Sequence, residues 1–263
     1  MLKGVYKAIK KDKSIYYRSS FTFKNKHISL GSFENEEKAH RAYLDAQQIS
    51  SITTITIENF LDNKKKYIIP FEKAVSIINF RDNNFYINTP IYIKPSYFEY
   101  YLDEKNIFKF DVDDLFFYSK HKIMKRKGHL FVSDYGMQLN ILSRYGIKSY
   151  GVPGKDYIFL NNDPTDFRYK NIQIINRYNG VKKETKEGRD FFISKIHING
   201  DFIIGRYRNE TDAAIAYNKA VDILTNEKKL FKNYNINYIE EMTPIEYASR
   251  YNQIKISKKI RNL

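Results

Sequence analysis

The chain of 263 residues contains no cysteine, which excludes disulfides and thiolate metal sites. Its five histidines are scattered and make no zinc-ligand spacing. No stretch approaches the roughly 18 apolar residues of a membrane span. Met1-Leu2-Lys3-Gly4 runs directly into patterned sequence and leaves no room for a signal peptide. An intracellular protein without a membrane partner is therefore expected. Negative charge is also short, with 30 Asp and Glu against 45 Lys and Arg and a formal charge of +15. Such a balance suits a polyanion. The weight of that point is reduced by the abundance of Lys, Asn, Ile, Tyr and Phe, all written in A/T-rich codons. Nothing in the sequence implies a cofactor or a small-molecule substrate, and the oligomeric state is not legible in it.

What the chain does have is an internal repeat. Leu30 to Ala46 aligns without a gap on Ile204 to Ala220, an offset of 174 that persists to Asn59-Phe60 and Asn233-Tyr234. Upstream, Tyr17-x-Ser19-x-Phe21-x-Phe23 meets Phe192-x-Ser194-x-Ile196-x-Ile198 at an offset of 175, and Gly4-Val5 meets Gly180-Val181 at 176. Each step falls between patterned segments, where turns accept insertions. Two copies of one small module thus bracket a middle segment.

In the first copy, Gly4 to Ala8 reads as a short strand followed by the polar turn Lys10 to Ser14. Period-two alternation then sends Tyr17, Ser19, Phe21 and Phe23 to one face and Arg18, Ser20, Thr22 and Lys24 to the other. A turn at Lys24-Asn25-Lys26 leads to a third strand from His27 to Leu30, which Gly31 ends. Asn35 is an expected helix N-cap, with Glu36 and Glu37 favouring the first turn. Ala39, Ala42, Tyr43 and Ala46 form a small-residue stripe that lets the helix lie close to the sheet. The opposite face is left polar. It would offer Lys3, Tyr6, Arg18, Ser20, Thr22, Lys24, His27 and Ser29 in the first copy, and Lys182, Lys195, His197 and Asp201 in the second. A flat basic sheet of this kind can enter the major groove. It can equally be the solvated side of a one-layer sheet.

The Gly-Val start, Tyr17-x-Ser19-x-Phe21, Leu30-Gly31-x-Phe33, Ala39-x-x-Ala42-Tyr43-x-x-Ala46 and the closing Asn59-Phe60 resemble the plant ethylene-response-factor (Apetala-two) domain. The resemblance implies duplex DNA binding through the sheet, with contacts at Lys3, Tyr6, Ser20, Thr22, His27 and Ser29. In the second copy it implies Lys182, Lys195, His197, Asp201 and Ile203. That family uses mostly Arg and Trp at such places, whereas here Tyr, Ser, Thr and Ile stand there, and Asp201 has the wrong sign for phosphate.

Between the copies come Phe110-Asp111-Val112-Asp113-Asp114-Leu115, a Lys-rich stretch from Lys120 to Lys127, Leu139-Asn140-Ile141-Leu142, and the run Asn161-Asn162-Asp163-Pro164-Thr165-Asp166-Phe167-Arg168-Tyr169-Lys170-Asn171-Ile172. This order resembles the HNH homing endonucleases of phages, which often carry an ethylene-response-factor-like domain. Their chemistry needs an Asp-His pair at a strand end and an Asn on the following helix, holding a metal and activating water. The resemblance puts Ile158 and Phe159 at the Asp-His positions and Asn140 where another His is expected, leaving Asn171 as the only remnant. A single Asn cannot hold a hard cation against water. Asp163 or Asp166 with His129 would be the means of rebuilding a site elsewhere.

The expected class is α+β, with two small modules, each a three-stranded antiparallel sheet plus one helix, flanking a degenerate HNH (ββα-type) segment. The expected division is 1–62 first module, 63–90 linker, 91–178 HNH-like segment, 179–235 second module and 236–263 C-terminal helix and basic tail. Within 63–90, Phe71 to Phe80 reads as either helix or strand. In the last part, Thr243-Pro244-Ile245-Glu246 has the pattern of a capping box, and Lys255, Lys258, Lys259 and Arg261 read as a solvated charge run or a phosphate-gripping arm. The leading functional expectation is a non-enzymatic nucleic-acid-binding protein, with duplex DNA favoured and RNA as the alternative, in a ribonucleoprotein such as an organellar ribosome. Residual nuclease activity is the third reading.

Overall fold

The computed structural model describes residues 1–148, 150–227 and 234–262, and these form two compact units. One comprises Met1–Ile141 with Asn161–Asn171; the other comprises Leu142–Leu160 with Ile172–Leu263. The class is α+β, built from small antiparallel sheets and short helices.

The first unit opens with strands β1 (Val5–Ile9), β2 (Ile15–Phe23) and β3 (Lys26–Phe33), hydrogen-bonded in that order. Lys24 and Asn25, at φ +45° and +61°, join β2 to β3, the pair of positive angles that a two-residue hairpin turn requires. Helix α1 (Glu36–Ser51) begins at Asn35, whose side chain accepts from the Lys38 amide at 2.8 Å. Ala39, Ala42 and Ala46 are fully buried against the sheet, as their spacing predicts. Gly4 explains how close the layers come. Its φ is +77°, and a Cβ there would sit 2.2 Å from the Tyr43 ring. β3 does not stop at Gly31; it continues to Phe33 through a bulge, so Ser19 pairs with Gly31 while Ser20 pairs with Ser29.

Residues 63–90 are not a linker. After α2 (Ile57–Asp62) and a 3₁₀ turn at Lys64–Lys66, they supply α3 (Phe71–Asn83), whose residues Ala74 to Arg81 are all buried. Phe80 meets Phe23 edge-on at 5.4 Å between ring centroids. Arg81 reaches back to the end of α1, donating through Nη1 to the carbonyls of Ile49, Ile52 and Ile55 at 2.9, 2.8 and 3.0 Å. This one side chain ties the last turn of α1 to the loop that follows it. Beyond α3, β4 (Ile91–Ile93), β5 (Tyr97–Tyr101) and β6 (Ile107–Asp111) form a second sheet. Its core is aromatic: Phe98, Phe110 and Tyr118 of α4 (Leu115–Lys120) pack with centroids 4.4 to 6.2 Å apart. β7 (Met124–Arg126), β8 (His129–Asp134) and β9 (Met137–Asn140) make a third, meandering sheet.

In the second unit, β10 (Tyr157–Phe159) and β11 (Ile172–Ile174) pair, and β12 (Val181–Lys186), β13 (Arg189–His197) and β14 (Asp201–Tyr207) repeat the opening sheet. The correspondence extends to detail. The bulge lies between Ser194 and Lys195, matching Ser19 and Ser20. Gly180, at φ +69°, sits under Tyr217 as Gly4 sits under Tyr43. The Lys195 amide donates to the Gly180 carbonyl at 2.7 Å, as the Ser20 amide does to Gly4 at 2.9 Å. Helix α5 (Glu210–Asp222) starts at Asn209 with the same cap as α1. Asn233 of the closing motif lies outside the described residues.

The C-terminal part is no loose tail. Thr243 and Glu246 close the capping box of α6 (Pro244–Gln253), and Arg250 forms a two-pronged ion pair with Asp212 of α5. Ile254, Ile256 and Ile260, the last within α7 (Lys258–Arg261), are buried, and the Ser257 amide donates to the Ile204 carbonyl on β14 at 2.8 Å. Alternation decides the outcome: the isoleucines anchor the segment while Lys255, Lys258, Lys259 and Arg261 remain exposed.

Candidate nucleic-acid interface

Pairing across the first sheet defines its outer face, because residues opposite one another project to the same side. Tyr6, Arg18 and Ser32 form one row, Ala8 and Tyr16 a second, Ser20 and Ser29 a third, and Thr22 and His27 a fourth. Tyr6, Arg18, Thr22, His27 and Ser29 are exposed as expected. None of the described residues of this face is a carboxylate. Arg18 donates to the Tyr16 hydroxyl through Nε at 3.1 Å and Nη2 at 2.7 Å, with its guanidinium carbon 5.4 Å from the ring centre. Lys10 approaches the same ring at 6.0 Å. One tyrosine thus holds two cations at the solvent side of the sheet, a cation–π arrangement that fixes the guanidinium in place.

Three expected residues are not presented there. Ser20 projects to this face but is only 9% exposed, since a short side chain on a central strand lies below its larger neighbours. Lys24, lifted out of the strand by its positive φ, turns its ammonium to the Arg81 carbonyl at 3.2 Å and to Asn84, and lies over the Phe23 and Phe80 rings. Lys3 precedes the strand, and its ammonium sits 6.0 Å from the Tyr43 ring on the helix side. Conversely, Tyr16 and Ser32 lie outside the expected set and stand on this face. Period-two counting one step back from Arg18 reaches Tyr16, and recognising Gly31 as a bulge residue instead of a strand end reaches Ser32.

The second sheet has the same rows with different chemistry. Lys182, Ile193 and Arg206 share a row, Lys195 faces Ile203, and His197 faces Asp201. Ile193 stands where Arg18 does in the first copy and is only 3% exposed, so this face is closed at its centre. Lys182 pairs with Glu184 at 3.1 Å, and His197 Nδ1 lies 2.9 Å from Asp201 Oδ1. The hydrogen bond from His197 holds the Asp201 carboxyl below its ordinary range. Lys195 is half-buried and lines a cavity of about 400 Å³ with Lys148, Lys155, Lys182 and His197. The second copy retains the module's skeleton and not the first copy's open face.

The expected nuclease remnant is a structural loop. Asn171 ends a 3₁₀ turn (Tyr169–Asn171) and is not on a helix; its Oδ1 accepts from the Asn161 amide at 2.8 Å and its Nδ2 donates to the Asp166 carbonyl at 2.8 Å. Asp166 is fully buried and accepts from Arg168 Nε and Nη2 at 2.8 and 2.6 Å and from Asn161 Nδ2 at 2.9 Å. Burial works against its ionisation, but the Arg168 pair prevails and holds the carboxyl below its usual range. Asp163 binds the Thr165 hydroxyl at 2.6 Å and Lys109 at 3.1 Å. His129 is exposed on β8. Among the described residues no three His, Asp or Glu side chains gather as a metal site. Ile158 and Phe159 lie on β10, and Asn140 ends β9.

Among the described residues no helix is long and apolar enough to cross a membrane. Compared with protein-family models, with curated proteins and with solved structures, the chain matches none.

Proposed function

We propose that the chain is a non-enzymatic nucleic-acid-binding protein whose first sheet, β1–β3, enters the major groove of duplex DNA. The observation that supports this reading is the carboxylate-free outer face carrying Arg18, Tyr6, Tyr16, Thr22, His27 and Ser29. Arg18 supplies a fork that fits guanine or phosphate, Thr22, Ser29 and His27 supply short polar contacts, and the net charge of +15 supplies counterion release. Descent from an HNH homing endonuclease with ethylene-response-factor-like modules, its Asp-His pair replaced by Ile158 and Phe159, belongs to the same proposal, as does a place inside a cell. The second module holds structure in this reading and contributes little base contact.

An RNA-binding role in a ribonucleoprotein is the second reading. Tyr6, 54% exposed on the same face, favours it, because an open tyrosine stacks on unpaired bases. The deciding experiment titrates the full chain against random duplex DNA, single-stranded RNA and double-stranded RNA at two salt concentrations. Arg18→Ala is expected to weaken duplex binding by about 1–3 kcal/mol and to relax selectivity. Preference for RNA, or undiminished binding by Arg18→Ala, sets the duplex reading aside.

A further inference from the structure

The Lys-rich stretch that precedes the loop of Asp163 and Asp166 forms part of the β7–β9 sheet of the first unit. Its two links are Lys127-Gly128, at φ +49° and +82°, and Tyr135-Gly136, at φ +45° and +80°. Tight turns of this kind keep the three strands in fixed register. Lys125, Leu130, Val132 and Leu139 take one face, on which Val132 is buried and Lys125 exposed. Arg126 pairs with His129 and Ser133 with Gln138 on the other, and all four are exposed. Asp134 is the only carboxylate among β7, β8 and β9; it stands on the side of Val132, 3.3 Å from His121. The side chains of Arg126, Lys127 and His129 make no ion pair or hydrogen bond among the described residues. Cations free of partners on a sheet face and at its turn, with neutral donors beside them and no anion, suit a phosphate backbone.

We propose that this face is a second duplex-DNA contact, gripping sugar-phosphate backbone through Arg126 and Lys127, with Ser133 and Gln138 as neutral donors. The proposal rests on the duplex reading of the first sheet. It contributes affinity and orientation, while β1–β3 contributes selectivity.

The test uses the full chain and a random 30-base-pair duplex, with binding measured from about 50 to 200 mM salt. Removing one phosphate-neutralising cation lowers the slope of log affinity against log salt by roughly 0.9, so Arg126→Ala with Lys127→Ala is expected to lower it by about 1.8. Arg18→Ala serves as the selectivity control. Ser133→Glu, an exposed change that adds an anion to the face, is expected to weaken binding more than Ser133→Ala, which removes one neutral donor only. An unchanged slope in the double variant, with Arg18→Ala still impaired, overturns this contact and leaves the duplex reading standing. A wild-type chain with no duplex affinity overturns both. If the double variant fails to bind RNA and keeps duplex binding, DNA as the occupant is overturned.

Discussion

Gly4 is the position where backbone conformation and packing can be separated by experiment. Its replacement by alanine incurs two costs. A non-glycine residue at φ +77° loses about 1 kcal/mol or somewhat more. In addition, the new Cβ falls 2.2 Å from a carbon of the Tyr43 ring. Tyr43 is buried between α1 and the sheet and cannot swing clear, so overpacking adds a further 1–3 kcal/mol. Gly128, in the same compact unit, supplies the control: φ is +82°, yet nothing lies within 4 Å of its Cβ position. Gly128→Ala therefore measures the conformational cost alone. For a unit of this size about 1 kcal/mol corresponds to roughly 2–4 °C in Tm. Gly4→Ala is expected to melt about 6–12 °C below wild type and Gly128→Ala about 2–4 °C below, with urea midpoints in the same order. Equal destabilisation of the two variants would mean that the glycine–tyrosine contact does not set the distance between the layers.

Arg81→Met keeps the bulk of the side chain and removes the donor to three carbonyls, so a loss of about 3 kcal/mol or more is expected by urea unfolding; a loss below about 1 kcal/mol would show that water replaces the guanidinium. The hydroxyls of Ser19 and Ser194 are buried and have no partner among the described residues. Ser19→Ala and Ser194→Ala are therefore expected to leave Tm unchanged or raise it slightly, and a fall of several degrees would reveal a partner. Asp166 has a depressed carboxyl pKa, so its contribution to stability is complete above the unfolded value near 3.8 and is lost as pH falls through the lower folded value. Acid unfolding of the first unit should then be steeper below about pH 4 in the wild type than in Asp166→Asn, and identical acid limbs would contradict the ion pair with Arg168.

The modules were legible because their signals are local and occur twice. The Asn35 and Asn209 caps, the alanine stripe and the period-two strands each state a backbone preference within a few residues. The offset steps fall in hairpin turns, as between Lys10 to Ser14 in one copy and Glu187-Gly188 in the other. Residues 63–90 were obscure for the opposite reason. α3 has apolar residues around most of its circumference because it is buried on most sides, and a helix without a polar face has no amphipathic period to read. The exchange of Lys24 from the sheet face to the end of α3 depends on a contact 57 residues away, which no local pattern carries. The burial of Ile193 is of the same kind.

The two copies also show how one skeleton takes opposite chemistry at equivalent positions. Asp45 in α1 and Lys219 in α5 correspond at the offset of 174. Asp45 accepts from the amides of Ile68 and Ile69, at 2.6 and 3.2 Å. Lys219 donates to the carbonyls of Tyr251 and Ile254, at 2.7 and 3.0 Å. Each ties down the segment that follows its own module, and the sign of the charge matches the backbone group presented to it. The same freedom operates on the outer face, where Arg18 and His27 of the first copy become Ile193 and Asp201 of the second. The glycines, the bulge and the alanine stripe are fixed by the geometry of the fold, so they persist in both copies. The outer-face residues carry no such constraint, and their divergence marks the two sheets for different work. A duplex contact is therefore to be sought on the face that kept its cations free of carboxylates, and mutating Lys182 or His197, each already paired within its own sheet, should change affinity far less than mutating Arg18.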